Sequence, residues 1–199
     1  MKNIEMMEMK VKITLEEEML GSSPSNPDIH DRYIASLAPD ALKRSEEVAA
    51  MGVESVVEDG MTIFPKQDGK PFIWDYQIKG FFKDSCGSLR KVTGSESEKI
   101  KAFKKEIDGL IFVKERRIPI VFTGKMAECQ RPLRAETPQG PRVAIASSET
   151  VPAGSTIEFT IQMMRDYRKV VTEWLDYGAL RGLGQWRNSG KGRFTWEEI

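Results

Sequence analysis

Glycine and basic residues alternate near residue 190, and this stretch limits the backbone geometry more strongly than any other segment. Glycine is favoured where a backbone turns sharply or comes close to another group, because it has no Cβ atom. The glycines are Gly182, Gly184, Gly190 and Gly192. The basic residues among them, with no acidic residue between, are Arg181, Arg187, Lys191 and Arg193. Backbone N–H groups beside fixed cations suit a phosphate, whereas the plainer alternative is a glycine-rich turn.

Length and charge narrow the class of protein. A chain of 199 residues can form one domain or two small halves that share a core. Because 30 basic and 30 acidic residues cancel, only local clustering of charge could point to a polyanionic partner. No segment has the length of a membrane span or the residue order of a signal peptide. We therefore expect a cytoplasmic protein without a membrane partner.

Cysteine and histidine are scarce, which limits metal and redox chemistry. Cys86 and Cys129 are too few and too far apart for a disulfide framework or a cysteine zinc site. His30 is the single histidine of the chain. The sequence also lacks phosphate-binding and dinucleotide-binding fingerprints. We therefore expect no metal and no cofactor.

Hydrophobic periodicity predicts strands and helices in alternation. Apolar residues spaced three and four apart predict helices at 40–51, 75–92, 100–107 and 165–180. Alternating or short apolar runs predict strands at 9–15, 53–57, 61–64, 110–113, 118–122, 143–146 and 156–163. Residues 123–142 carry three prolines and little periodicity, so they form either a long loop or a protruding hairpin. This order fits two β-α-β-type halves, although no internal repeat is visible.

The helix predicted at 75–92 carries basic residues on a second face. Lys79, Lys83 and Arg90 are four and seven positions apart, so they return to nearly the same side of the helix. Such a face could contact phosphates without recognising bases.

Three segments, in the same order along the chain, resemble the RAMP superfamily, the RNA-binding proteins of CRISPR effector complexes. Residues 181–194 resemble its C-terminal glycine-rich loop. Residues 72–83, with the pair Lys79 and Gly80, resemble the entry into the first helix of its backbone-type subunits. Residues 149–161 are similar to the strand pair before its last helix.

This resemblance implies an α+β protein with a duplicated ferredoxin-like (RRM-like) RAMP fold, a C-terminal glycine-rich loop and a protruding thumb-like hairpin. Residues 1–199 would form a single domain. Its first half would cover about 8–110 with an insertion at 21–70, and its second half about 111–199 with the thumb-like segment at 124–142.

The resemblance also implies a function. The chain would hold single-stranded or guide RNA through its phosphates without cleaving it, together with further copies or other CRISPR subunits, and it could be a phage-encoded relative. The residues expected to contact RNA are Lys79, Gly80, Lys83, Arg90, Arg131, Arg134, Gly182, Gly184, Trp186, Arg187, Ser189, Gly190, Lys191, Gly192 and Arg193. Trp186 could stack on a base or cover the hydrophobic core, and the sequence leaves both open.

Two other functions are compatible with the sequence. One is a phage-encoded anti-CRISPR interaction protein that mimics a RAMP subunit or sequesters a nucleotide signal. The other is a metal-dependent endoribonuclease that uses Asp28, His30 and Asp31, since a histidine can act as a general acid or base near neutral pH. The surroundings of these three residues do not match a catalytic pattern, so we expect a binding protein rather than an enzyme.

Overall fold

The computed structural model describes residues 6–24, 61–137 and 140–199, with the backbone alone at residues 24, 133–137 and 140–145. The helix predicted at 40–51 and the strand predicted at 53–57 lie outside the described residues. The catalytic candidates Asp28, His30 and Asp31 also lie outside them.

Within the described ranges the predicted strands and helices occur in the predicted order, but the strands Lys70–Trp74 and Phe194–Glu198 were not predicted. The strands are β1 (Met7–Leu15), β2 (Met19–Leu20), β3 (Ser23–Pro24), β4 (Thr62–Ile63), β5 (Lys66–Gln67), β6 (Lys70–Trp74), β7 (Ile111–Val113), β8 (Arg117–Val121), β9 (Ala127–Thr137), β10 (Gly140–Val151), β11 (Thr156–Met163) and β12 (Phe194–Glu198). The helices are α1 (Asp75–Leu89), α2 (Phe103–Leu110) and α3 (Arg168–Arg181), with single 3₁₀ turns at Ser97–Lys99 and Arg187–Ser189.

The larger sheet contains one ferredoxin-like unit. Its strand order is β12-β1-β11-β8-β6-β5, with β7 also paired to β11, and every neighbouring pair is antiparallel. Along the chain β1, α1, β8, β11, α3 and β12 give the β-α-β-β-α-β order of that unit. The unit draws β1 and α1 from the predicted first half and the rest from the second. The duplication into two such units stays a prediction.

The core lies between this sheet and the helices α1 and α3. The inward residues of β1, which alternate as predicted, are all fully or almost fully buried. Phe82 of α1 and Trp174 of α3 meet above the sheet with ring centroids 5.4 Å apart. Trp174 is part of the core, because its side chain is completely buried. The helix predicted at 75–92 ends at Leu89, and Val92 beyond its end is 55% exposed.

The segment predicted as a loop or a hairpin is a hairpin. Strands β9 and β10 pair continuously from Thr150 opposite Ala127 to Gly140 opposite Thr137. The strand predicted at 143–146 is therefore the middle of β10. Part of β10 also joins a second, smaller sheet in the order β2-β10-β4-β3. A ribbon that leaves the core needs no alternation of apolar and polar residues, which explains why the sequence pattern showed only a short part of these strands.

The other predicted boundaries differ by a few residues. Helix α2 begins at Phe103 instead of residue 100, because Ile100 has extended backbone angles after the preceding 3₁₀ turn. Helix α3 begins at Arg168 instead of residue 165. No helix in the described ranges has the length and apolar character needed to cross a bilayer.

Candidate nucleic-acid interface

The glycine stretch folds back against the residues that follow β1. Leu183 N–H donates to the carbonyl of Gly192 over 2.8 Å, and Gly192 N–H donates to the carbonyl of Glu18 over 2.9 Å. A Cβ atom on Gly192 would lie 1.9 Å from the carbonyl oxygen of Leu183, and one on Gly184 would lie 2.5 Å from that of Leu20. Close packing therefore requires these glycines, and the N–H groups of Leu183 and Gly192 already have acceptors within the protein.

Asp84 of α1 holds two arginines of this stretch. Its Oδ2 accepts hydrogen bonds from Arg181 Nε over 2.7 Å and from Arg187 Nη1 over 2.9 Å. Burial alone would raise the pKa of Asp84, but the hydrogen bonds and charges of the two arginines outweigh it and hold that pKa below its usual value. The carboxylate is thus ionised at neutral pH, and this group of three side chains keeps one net positive charge.

The other two cations of the stretch also contact carboxylates. Lys191 Nζ donates to Glu18 Oε1 over 2.5 Å, and this hydrogen bond raises the pKa of the lysine. Arg193 Nη2 lies 3.5 Å from Glu17 Oε1. Because both glutamates follow β1, they are far from the glycine stretch in sequence but adjacent to it in space.

The basic face of α1 lies against α2. Lys83 Nζ is 2.6 Å from Asp108 Oδ1, and Lys79 Nζ donates to the carbonyl of Asp108 over 3.1 Å. The guanidinium of Arg90 lies over the ring of Phe103, 5.2 Å from its centroid. The three residues therefore share a side of α1 as predicted, but residues of α2 and its N-terminus contact all of them.

Arg131 of β9 meets Trp186 of the glycine stretch. The Arg131 guanidinium lies 5.5 Å from the centroid of the indole ring. Its Nη2 donates to Gln185 Oε1 over 2.7 Å, and its Nη1 contacts Ser148 Oγ at 3.3 Å. The fold thus brings together two predicted RNA contacts that come from separate segments of the chain.

The backbone at Trp186 holds its ring at the surface. The residue has φ 54° and ψ 33°, a left-handed conformation that costs roughly 1–2 kcal/mol in a non-glycine residue. Ser189 stabilises it, because both the N–H and the hydroxyl of Ser189 donate to the carbonyl of Trp186. The indole is 41% exposed, whereas Leu183 and Phe194 are buried on either side of it in sequence. The interpretation in which Trp186 covers the core is therefore wrong.

Arg131 differs from the other predicted arginines near the glycine stretch in its charge environment. Among the described residues, no carboxylate lies within ion-pair distance of its guanidinium. A guanidinium that stacks on an aromatic ring keeps its N–H edges available for an anion. Arg131 and Trp186 therefore combine a positive charge that no described carboxylate pairs with and an exposed aromatic face.

A groove of about 300 Å³ lies between α1 and the glycine stretch. Its walls come from β2 and the residues around it, from β6, from the first half of α1 and from the stretch itself. The lining residues are Met19, Leu20, Ser22, Phe64, Ile73, Tyr76, Gln77, Gly80, Phe81, Leu183, Gly184 and Arg187. Gly80 and Arg187 are both predicted site residues, and the groove brings them to one cavity.

Two predicted RNA contacts cannot be placed in this site. Gly190 has a positive φ but no close neighbour, and the side chain of Arg134 is not among those described. No group of three or more His, Cys, Asp or Glu side chains in the described ranges could hold a metal ion.

Sequence reasoning missed three residues that shape this region. Asp84, Gln185 and Glu18 each fix a predicted cation in place. They are single polar residues without a motif. Their roles follow from contacts between segments that are far apart in the sequence, so periodicity and composition gave no signal for them.

Comparison with known proteins places this fold. No protein-family model and no curated protein matches the sequence. One chain in the cryo-EM structure of the Type III-B Cmr-beta complex bound to cognate target RNA superposes with a TM-score of 0.54 and 17% identity, over 100% of this chain and 62% of that chain. The chain thus spans less than two thirds of that protein's length.

Two further structures are less similar. A chain of a Type IV-B CRISPR complex gives a TM-score of 0.47 and 12% identity over 97% of this chain and 90% of that chain. The crystal structure of Cmr6 from Pyrococcus furiosus gives a TM-score of 0.49 and 12% identity over 96% of this chain and 98% of that chain. The comparison therefore rests on the Cmr-beta complex: the chain shares the mixed α+β fold of one protein in that structure. This is the fold class that the resemblance to the RAMP superfamily implies.

Proposed function

We propose that this protein is an RNA-binding, backbone-type subunit of a CRISPR complex that holds single-stranded RNA without cleaving it. The observation that carries this proposal is the meeting of Arg131 with the exposed indole of Trp186. The fold shared with a chain of the RNA-bound Cmr-beta complex supports it. Other copies of the chain or other CRISPR subunits would be its protein partners.

The contact geometry suggests how RNA would bind. A base stacks on the outer face of Trp186, an interaction that tolerates any sequence because every base has an aromatic face. Arg131 donates an N–H edge to the adjacent phosphate, in a charge-assisted hydrogen bond. The Asp84 group adds one net positive charge beside this position. RNA binding would therefore depend on a few strong contacts and not on an extended basic surface.

The duplication of ferredoxin-like units and the thumb role of the β9–β10 hairpin are part of the same proposal. Arg131 belongs to β9, so the part of the hairpin beyond it would continue the RNA path away from the glycine stretch. Arg134, three residues further along β9, stays a predicted RNA contact.

The first test is RNA binding by Trp186→Ala and Arg131→Gln. We expect Trp186→Ala to weaken binding of a labelled, unstructured single-stranded RNA by about 1–3 kcal/mol, the range for loss of one base stack. Arg131→Gln should also weaken binding, and Arg131→Lys should restore it only in part because lysine lacks the planar stacking group. Fluorescence anisotropy of protein freed of cellular nucleic acid by high salt measures all three.

Arg165→Gln is the charge-matched control, because Arg165 pairs with Glu106 away from the proposed interface. Its affinity for RNA should stay at the wild-type value. RNA recovered intact after long incubation with magnesium would support a binding role, whereas cleavage would favour the endoribonuclease alternative. Wild-type protein that binds no RNA would refute the proposal and agree with the interaction-protein alternative.

A further inference from the structure

Gly80 occupies the middle of α1 without a packing reason. Among the described residues, no atom lies within 4 Å of a Cβ atom built on Gly80, and its φ is not positive. Glycine is among the poorest helix-forming residues, so an interior helical glycine normally relieves a clash or permits an unusual backbone. Neither applies here. The structural consequence of its missing side chain is the open wall of the 300 Å³ groove.

The groove is apolar along most of its surface, with fixed polar groups on one wall. Gln77 Nε2 donates to Ser22 Oγ over 2.5 Å, and Gln77 Oε1 accepts from the N–H of Trp74 over 2.8 Å. These hydrogen bonds lock the amide, and the Ser22 hydroxyl can still donate its own proton. A flat aromatic ring with a polar edge fits such walls better than a charged or an extended ligand does.

Charge and size indicate which ligand carries that ring. Arg187 lines the groove and follows Trp186 directly in the chain, so the groove opens next to the residue on which RNA is proposed to stack. A cavity of this volume lies at the lower end of the range for small-molecule sites, about 300–1,000 Å³. That size admits one ring system and excludes a helix of another protein.

We propose that the groove beside Gly80 binds one unpaired base of the RNA strand that contacts Trp186 and Arg131. This inference rests on the proposed function and extends it, because the protein then holds a base as well as phosphates. The phosphate preceding or following that base lies near Arg187, which Asp84 keeps in position.

Gly80→Leu tests the groove by filling it. Leucine is a much better helix former than glycine, so the variant should unfold at or above the wild-type temperature. Gly80→Ala leaves most of the groove open. Gly109→Leu makes the same change in α2 at a glycine that also has open space around its Cβ position but does not line the groove.

Each variant is made in the Trp186→Ala background, so that stacking on the indole does not mask the effect. Anisotropy then compares labelled oligouridylate with an abasic ribose-phosphate oligomer of the same length. We expect Trp186→Ala alone, and with Gly80→Ala or Gly109→Leu, to prefer the oligomer that carries bases. Gly80→Leu should reduce this preference by about fivefold or more.

Other outcomes would overturn the inference. If the Gly80→Leu variant keeps the preference for bases, or binds both oligomers more weakly by the same factor, then no base enters the groove. This conclusion would hold even if RNA binding itself is intact. The first of these results would point to an apolar side chain of a partner protein as the occupant. Failure of the proposed function would look different, because the otherwise wild-type protein would then bind neither oligomer.

Discussion

Single glycines decide whether the stretch after α3 can fold. Gly192 has φ +71°, and a Cβ atom there would lie 1.9 Å from a backbone oxygen. Because neither atom can move aside cheaply, we expect Gly192→Ala to lower the free energy of unfolding by about 2–4 kcal/mol. Chemical denaturation measures this. Gly190→Ala is the matched control: it has a similar φ, +86°, but no atom closer than 3.6 Å, so only the backbone strain of roughly 1 kcal/mol should appear.

Asp84 makes stability depend on pH. Its folded pKa is below the unfolded value, so the stabilisation is fully present above the unfolded pKa and is lost as the pH falls through the folded one. At pH 7 we expect Asp84→Asn to be less stable than wild type by about 1 kcal/mol, since the partly exposed group is screened by solvent. Thermal unfolding from pH 7 to pH 2 should show the two proteins converging below about pH 4. A constant difference would exclude the carboxylate as its source.

The same residues show what a sequence can reveal about a site. The basic side chains and glycines of the stretch were identified from the sequence, and Arg131 and Trp186 do meet. The acidic residues that neutralise these cations were not identified from the sequence. Asp84 and Glu18 belong to segments that only the tertiary fold brings close to the glycine stretch. A cluster of cations in sequence therefore overstated the local positive potential.

Among the elements, the 3₁₀ turn Ser97–Lys99 is hydrogen-bonded to α3 and stabilises its position. The buried Ser97 hydroxyl accepts from Trp174 Nε1 over 2.9 Å and donates to Glu173 Oε2 over 2.5 Å. Ser97→Ala would leave the buried indole N–H without an acceptor, so we expect a loss of about 1–3 kcal/mol in unfolding free energy. A double-mutant cycle with Trp174→Phe checks the cause, because the two effects should be clearly non-additive.

We expect the far part of the β9–β10 hairpin to contribute little to the core. Buried residues of β10 begin at Ser148 among the side chains described there. Replacing residues 133–144 by Asn-Gly keeps the pair Pro132–Ile145 and provides a two-residue turn. We expect the melting temperature to change by no more than about 2–4 °C. A much larger drop would mean that the hairpin is part of the cooperative core.

Most of the long elements that face the core were predictable, whereas strands β6 and β12 and the hairpin were not. Strands β1 and β11 and helices α1 and α3 each bury one side, so their apolar periods match their structure. Strands β9 and β10 are long because they pair with each other, which is a relation between two segments and leaves no period in either. Only the three-dimensional structure distinguishes the hairpin from a long loop.

For the whole molecule, paired charges predict a weak dependence of RNA binding on salt. Most predicted cations already contact carboxylates, so few counterions leave the RNA when it binds. For single strands the logarithm of the binding constant falls by about 0.7 per phosphate neutralised, for each unit of log salt concentration. We expect a slope of about −1 to −2, corresponding to roughly two phosphates. A slope near −5 would show that RNA displaces the carboxylates and recruits the whole stretch.

The position of β1 between β11 and β12 also affects how the protein folds. Both strands that pair with β1, β11 and β12, are encoded after Ser155, so β1 has no partner in this sheet until ribosomes have made most of the described chain. Contacts between such distant segments slow folding, because a long loop must close first. An unpaired, half-apolar strand is also prone to aggregation. Production of this protein should therefore benefit from slow translation and from chaperones that bind emerging strands.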